Sequence, residues 1–310
     1  MSFLLKATLS VAILYFAFRN IDFAAVVQQF DQLNPGALGM ALALMTLSIL
    51  LAAARWRIVT RYTEGASPGY QFFVRSLYRC VFINQGLPST LGGDAMRVLD
   101  LSGPLGSKRE AFGTVLLDRV IGLSGLLILN VLMFPVSAQL LPFPIALSVT
   151  LISAAGLLAI AGAIAFPWQR VSHHHPLLDM IADFSEFARR VLAHPQGFLL
   201  QCLLSMSVHL SAIVAMYVLA RQFGVTADLL AHVAIQPSVF IAALLPLSLA
   251  GWGVREGAMA ALIATIGVAA PAILATSLCY GVIALVASFP GLYFLLKFRS
   301  SSSSQNLTIS

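Results

Sequence analysis

Three acid–base couples interrupt long apolar stretches of this chain: Asp94 with Arg97, Asp118 with Arg119, and Arg255 with Glu256. A guanidinium can grip a phosphate or carboxylate through two parallel hydrogen bonds, and a carboxylate can receive a cation or balance an arginine. Asp94 and Arg97 follow Gly92 and Gly93 three residues apart, which puts them on one face if a helix begins there. Asp118 and Arg119 lie within an apolar run, and Arg255 and Glu256 follow Gly251-Trp252-Gly253. Each couple also has a plain structural reading. Asp94 can be an N-cap, Arg119 can snorkel towards head groups with Asp118 as its counter-charge, and Arg255 and Glu256 can mark an interfacial helix start. A charge at the bilayer centre costs about 2.5–3.5 kcal/mol on insertion scales. Three such couples near one membrane face, two of them directly after Gly-rich breaks, point to a shared polar site.

No other chemistry is visible. The chain has no G-x-S-x-G, HExxH, P-loop or strand-borne GxGxxG. His173, His174 and His175 are adjacent and cannot all face one tetrahedral metal, so they read as a solvated loop. Cys80, Cys202 and Cys279 form no CxxC and read as small hydrophobes. His209 and His232 read as core histidines bonded to a neighbouring helix, with a proton relay as the alternative. The expectation is no enzyme, no cofactor and no metal site.

The elements that must position the couples are membrane helices. Of 310 residues 59% are apolar and 10% charged, against about 45–50% and 25% in soluble domains, and mean hydropathy is +0.90. Soluble, disordered and disulfide-stapled classes are excluded. The net charge of +6 does not imply nucleic acid, because the basic residues lie between apolar runs and form no stripe on one face. About 17–25 apolar residues cross a bilayer core, which makes candidate spans of 3–18, 37–54, 112–134, 144–168, 198–220, 229–249, 256–270 and 272–296. Residues 3–18 carry Lys6 near their start, as a signal peptide could, but precede no cleavage site, so they read as a retained span.

The stretch 70–92 is different. Arg75 and Arg79 share a helical face, and Asn84, Gly86, Pro88, Gly92 and Gly93 break its second half. Such backbone fits a re-entrant hairpin held within protein. With the N terminus inside and the hairpin returning to its own side, fifteen of the eighteen Lys and Arg fall in cytoplasmic segments; a spanning 70–92 would put Arg97, Lys108, Arg109, Arg170, Arg189, Arg190, Lys297 and Arg299 outside. The expected fold is all-α and polytopic, with about eight transmembrane helices plus a re-entrant hairpin near 70–92 and both termini cytoplasmic. Residues 1–299 form one transmembrane domain and 300–310 a disordered tail.

Between Pro176 and Pro195, Leu177, Ile181, Phe184, Ala188 and Val191 recur at helical spacing. This predicts an amphipathic helix, either on the cytoplasmic membrane interface or packed on the bundle. At a constant offset of 158, Leu87–Gly93 aligns with Leu245–Gly251, matching Leu, Pro, Leu and Gly, and Arg97 aligns with Arg255. Paired Gly/Pro breaks in two halves are a pointer to a transporter's binding site. In this topology, however, both breaks lie on the cytoplasmic side, which is not what an inverted repeat gives.

Three segments, NQGLPSTLGGDAMRVLDL at Asn84–Leu101, LLDRVIGL at Leu116–Leu123 and LPLSLAGWGVREGA at Leu245–Ala258, resemble the transmembrane region of lysylphosphatidylglycerol synthases, also called flippase-like domain proteins. The resemblance runs from about residue 3 to residue 297. It implies a prokaryotic inner-membrane protein that moves a modified phospholipid or other lipid-linked head group between leaflets. Carried onto this sequence, the motif positions are Asn84, Pro88, Gly92, Gly93, Asp94 and Arg97; Asp118 and Arg119; and Gly251, Gly253, Arg255, Glu256 and Gly257. Only eleven residues follow Arg299, so the soluble aminoacyl-transferase domain of full-length synthases is not expected, nor is synthase activity. The expected partners are membrane lipids: an anionic or modified phospholipid, or a polyprenyl-linked or hopanoid lipid. A flippase or scramblase would use Arg97, Arg119 and Arg255 for the phosphate, with the acids balancing them or receiving a cationic substituent. The alternatives are a membrane-embedded transferase, with Asp94 or Glu256 as general base, and a noncatalytic partner that recruits a lipid-modifying enzyme through residues 169–197.

Overall fold

A computed structural model describes residues 23–87, 91–171, 176–244 and 253–297. The expected first span 3–18, Pro88, His173 to His175, Gly251 and the tail after Arg299 lie outside the described residues. Within them every regular element is helical: α1 (Phe23–Gln28), α2 (Pro35–Thr60), α3 (Tyr70–Gly86), α4 (Leu91–Leu105), α5 (Lys108–Leu132), α6 (Phe134–Leu140), α7 (Phe143–Ala165), α8 (Pro176–Leu192), α9 (Pro195–Gln222), α10 (Leu229–Leu244), α11 (Val254–Ile263) and α12 (Ala270–Ser288). Beyond Phe289 the last helix resumes and reaches Lys297.

Five of these helices, α2, α5, α7, α9 and the extended α12, are long and apolar enough to cross a membrane. The fold is that of an all-α polytopic membrane protein. Local chemistry sets the starts. Asn34 caps α2, its Oδ1 accepting the Gly36 N–H at 2.7 Å, with Pro35 at the first helical position. Ser107 caps α5 by accepting the Glu110 N–H at 3.2 Å. The spans are sorted by what they face. The apolar stretches of α5 and α12 are largely buried, whereas little of that of α7 is, with Ile152 and Leu158 directed outward. α7 therefore presents its side chains to lipid, and α5 and α12 form the interior.

The stretch expected as a hairpin over 70–92 contributes one whole helix and the start of the next, so the pair runs over 70–105. α3 and α4 hold 17 and 15 residues, about 26 and 22 Å at 1.5 Å per residue, short of a core of about 30 Å. They are tied antiparallel at two levels. Near the tip the Gly93 N–H donates to Asn84 Oδ1 at 3.0 Å; near the base Arg79 Nη2 and Ser76 Oγ donate to Asp100 Oδ2 at 2.7 and 2.6 Å. Arg79 is buried, while Arg75 on the same helix is exposed.

The expected span 256–270 is ten helical residues, α11, followed by a short 3-10 turn and Gly267 at φ +80°. About 15 Å of helix does not cross a bilayer. α8 is amphipathic and packs on the bundle. Its later turns pack Ala182, Ser185, Ala188 and Val191 inward, Ser185 Oγ and Arg189 Nη1 cap the Ile164 carbonyl at the end of α7 at 2.7 and 3.3 Å, and Leu177, Met180 and Ile181 remain exposed at its start.

Candidate functional site

Four helices bring five charges into one chain. α4 supplies Asp94 and Arg97, α5 supplies Asp118 and Arg119, α2 supplies Arg55, and α9 adds Ser205. Arg119 donates through Nε to both Asp94 oxygens at 2.8 and 3.1 Å and through Nη2 to Oδ1 at 2.9 Å. Arg97 bridges the two acids, giving Nη1 to Asp94 Oδ1 at 3.2 Å and Nη2 to Asp118 Oδ2 at 2.7 Å. Arg55 Nε takes the other Asp118 oxygen at 2.8 Å, and its Nη1 donates to Ser205 Oγ at 3.3 Å. Ser205 Oγ in turn donates to the Ile121 carbonyl at 3.0 Å. The order is Arg119, Asp94, Arg97, Asp118, Arg55, with signs alternating throughout.

The Arg97 guanidinium lies 4.1 Å from the centroid of the Trp56 ring, a desolvated cation–π contact. Trp56 is itself fully buried, edge-on to Phe73, with its Nε1–H donated to Thr114 Oγ1 at 3.3 Å. Burial grades along the chain. Side-chain exposure is 7% at Arg55, 3% at Asp118, 1% at Arg97, 15% at Asp94 and 38% at Arg119. Arg119 is thus the open end of an otherwise dry network. Three arginines against two aspartates leave one net positive charge, and all four carboxylate oxygens accept from arginine.

The hairpin's odd residues explain how α4 reaches this position. Asn84 on α3 accepts the Gly93 N–H and donates Nδ2 to Cys80 Sγ at 3.6 Å, so α3 satisfies an amide in the first turn of α4. A Cβ on Gly93 would stand 2.6 Å from both Asn84 Oδ1 and the Cys80 carbonyl, and one on Gly92 would strike the Leu87 side chain. The glycines allow the two arms to touch.

Arg255 and Glu256 form a separate, buried cluster on α11 and α12. Arg255 Nη2 donates to Glu256 Oε1 at 2.6 Å and to the Ser277 carbonyl at 3.0 Å, and its Nε to Ser277 Oγ at 2.8 Å. Ser277 Oγ donates to Glu256 Oε1 at 2.6 Å. Gly253, at φ +86°, donates its N–H to Glu256 Oε2 at 2.6 Å, a positive φ that favours glycine. The side chains are 8% and 1% exposed. Gly257 has open space where a Cβ would stand.

The structure therefore unites Asn84, Gly92, Gly93, Asp94, Arg97, Asp118 and Arg119, and holds Gly253, Arg255 and Glu256 apart. It also exchanges partners: adjacent Asp118 and Arg119 do not form their own closed pair but reach to Arg55, Arg97 and Asp94. Arg55, Trp56, Ser205 and the Arg79–Asp100 tie were not singled out from the sequence as site residues. A charge five residues before the end of an apolar helix was the available signal for Arg55. His209 bonds the Gly122 carbonyl at 2.8 Å, as a core histidine does. On another face, a cleft of about 350 Å³ opens among Tyr62, Arg109, Phe112, Asp183, Phe187 and Arg190, with none of the five network charges in its lining.

The family model for the lysylphosphatidylglycerol synthase TM region matches residues 3–291. With that coverage the chain belongs to this family, and it is a multi-pass membrane protein tied to lipid modification or transport. No curated protein matches it.

Proposed function

We propose that the protein moves an anionic phospholipid or lipid-linked head group between leaflets, as a flippase or scramblase. One observation carries this reading: a buried chain of ionised side chains with one uncompensated positive charge, ending on the half-exposed Arg119. Guanidinium forks fit phosphate as well as carboxylate. A phosphodiester arriving at Arg119 can take over the bonds now made by Asp94, which Arg97 still holds, and its single negative charge neutralises the excess. Acyl tails stay in lipid while the head group follows the hairpin. In the resting arrangement all four oxygens of Asp94 and Asp118 accept from arginine, which favours an anionic head group over a cationic one as the first to engage the network and leaves Asp94 poorly placed as the general base of a transferase. The positive-inside rule assigns the face bearing Arg61, Lys108, Arg109 and Arg190 to the cytoplasm, and membership of the family makes a prokaryotic inner membrane the expected location.

The test is leaflet redistribution of fluorescent phosphatidylglycerol in liposomes holding the purified protein, read by dithionite quenching. Protein-dependent movement should be lost in Asp94→Ala and Arg119→Ala variants that remain folded. Undiminished movement in both would remove the network from the path.

A further inference from the structure

The helices recur in order at a near-constant interval. Pro35 and Pro195 open α2 and α9. Gly86 and Leu244 close α3 and α10, 158 residues apart, and Leu105 and Ile263 close α4 and α11, again 158 apart. α5 and α12 follow as the long last members. Each set reads long helix, two short helices, long helix. The chemistry recurs with it. Arg97 and Arg255 sit at equivalent places on the second short helix, each eight residues before its end; the rings they face, Trp56 on α2 and Tyr280 on α12, are not equivalent. Each is bonded to the last helix of its own set, Arg97 to Asp118 and Arg255 to Ser277.

The two sets run in opposite directions. α2 and α9, their equivalent first helices, pair end to opposite end: the Asn34 N–H donates to Gln222 Oε1 at 3.3 Å, Gln201 Nε2 donates to the Arg55 carbonyl at 3.3 Å, and the Tyr62 and His194 rings lie 5.3 Å apart. Equivalent helices that lie antiparallel are related by a two-fold axis in the membrane plane, the relation of inverted-topology repeats. Packing across the sets has the matching exchange. α3 lies along the far end of α12, with Phe82 and Phe289 centroids 6.4 Å apart, while α10 lies against the far end of α5, where Ser238 Oγ donates to Asn130 Oδ1 at 3.1 Å.

We infer that residues 35–132 and 195–288 are inverted copies of one unit, and that α10 and α11 form a second re-entrant hairpin opening to the membrane face opposite the one from which α3 and α4 enter. Their 16 and 10 residues, about 24 and 15 Å, suit half-depth arms and not separate crossings. This revises the topology expected from charge counting, in which both breaks faced the cytoplasm. Arg255 then belongs to the opposite leaflet's half of the molecule, buried here while the Arg119 end is open. Only this last assignment of a leaflet to Arg255 as a head-group contact rests on the transport reading.

The experiment is sidedness of single cysteines towards a membrane-impermeant maleimide in intact cells and inverted vesicles, with the unsubstituted chain as background. Ala66→Cys, exposed before α3, and Ala269→Cys, exposed after α11, should label from opposite faces. Leu244→Cys, at the end of α10, should label about tenfold or more slowly than Ala66→Cys from the latter's face, since the end of a half-depth arm lies within the bilayer. Labelling of Ala66→Cys and Ala269→Cys from one face, or rapid labelling of Leu244→Cys from the Ala66 face, would overturn the inverted arrangement. Neither result depends on whether any lipid is moved.

Discussion

Arg97 and Arg119 hold the same carboxylate of Asp94 in different surroundings, and their replacement should separate stability from transport. Arg97→Gln removes a fully buried partner of both aspartates, and loss of one member of a buried pair costs about 3–5 kcal/mol. The expected result is a marked fall in thermal unfolding temperature in detergent. Arg119 is 38% exposed, and a pair at such a position contributes about 0–1 kcal/mol. Arg119→Gln should therefore fold nearly as well as the parent while losing lipid movement. Equal loss of stability in the two variants would contradict the division into a buried brace and an open end. The couples were legible in the sequence as rare charges in apolar runs, but their pairing was not. Successive side chains on a helix diverge, so Asp118 and Arg119 face different neighbours. Their partners stand 21, 25 and 63 residues away.

At the scale of the element, the hairpin's tip depends on close contact between α3 and α4. Gly93→Ala places a methyl 2.6 Å from Asn84 Oδ1 and the Cys80 carbonyl, an overpacking expected to cost about 1–3 kcal/mol and to displace Asp94 from Arg119. Gly257→Ala, with nothing within 4 Å, should be neutral or raise stability by up to about 1 kcal/mol through helix propensity. Thermal unfolding of the two variants side by side checks the contrast. Asn84→Ala loses the bond to the Gly93 amide and should cost about 1 kcal/mol, as loss of a cap does. The break itself was readable, since Asn84, Gly92 and Gly93 interrupt an apolar run that also carries Arg75 and Arg79. The shortness of α11 was not. Residues 256–270 stay apolar past the point where the helix gives way to a 3-10 turn and Gly267, and hydropathy records composition, not helix length. For α8, spacing found the amphipathic face, but only packing shows that Arg189 is engaged in capping α7.

On the scale of the whole molecule, and apart from the exposed Arg109–Asp183 pair, the ion pairs among the described residues set Arg55, Arg79, Arg97, Arg119 and Arg255 against Asp94, Asp100, Asp118 and Glu256. Arg79–Asp100 and Arg255–Glu256 balance, so the one excess cation lies in the five-charge network, whose open end a ligand can reach. The global plan was half legible. The interval of 158 showed in the sequence around the two breaks, but the antiparallel pairing of α2 with α9 joins residues up to 188 positions apart, and local sequence carries no sign of it. The central claim is that this excess positive charge selects an anionic head group. The most direct measurement compares leaflet redistribution of labelled phosphatidylglycerol with that of its cationic lysyl ester, in the same liposomes, for the parent and for Arg119→Gln. Phosphatidylglycerol should move about tenfold faster, the ratio that 1.4 kcal/mol supplies, and Arg119→Gln should erase the difference. Equal or faster movement of the lysyl ester by the parent would contradict the account.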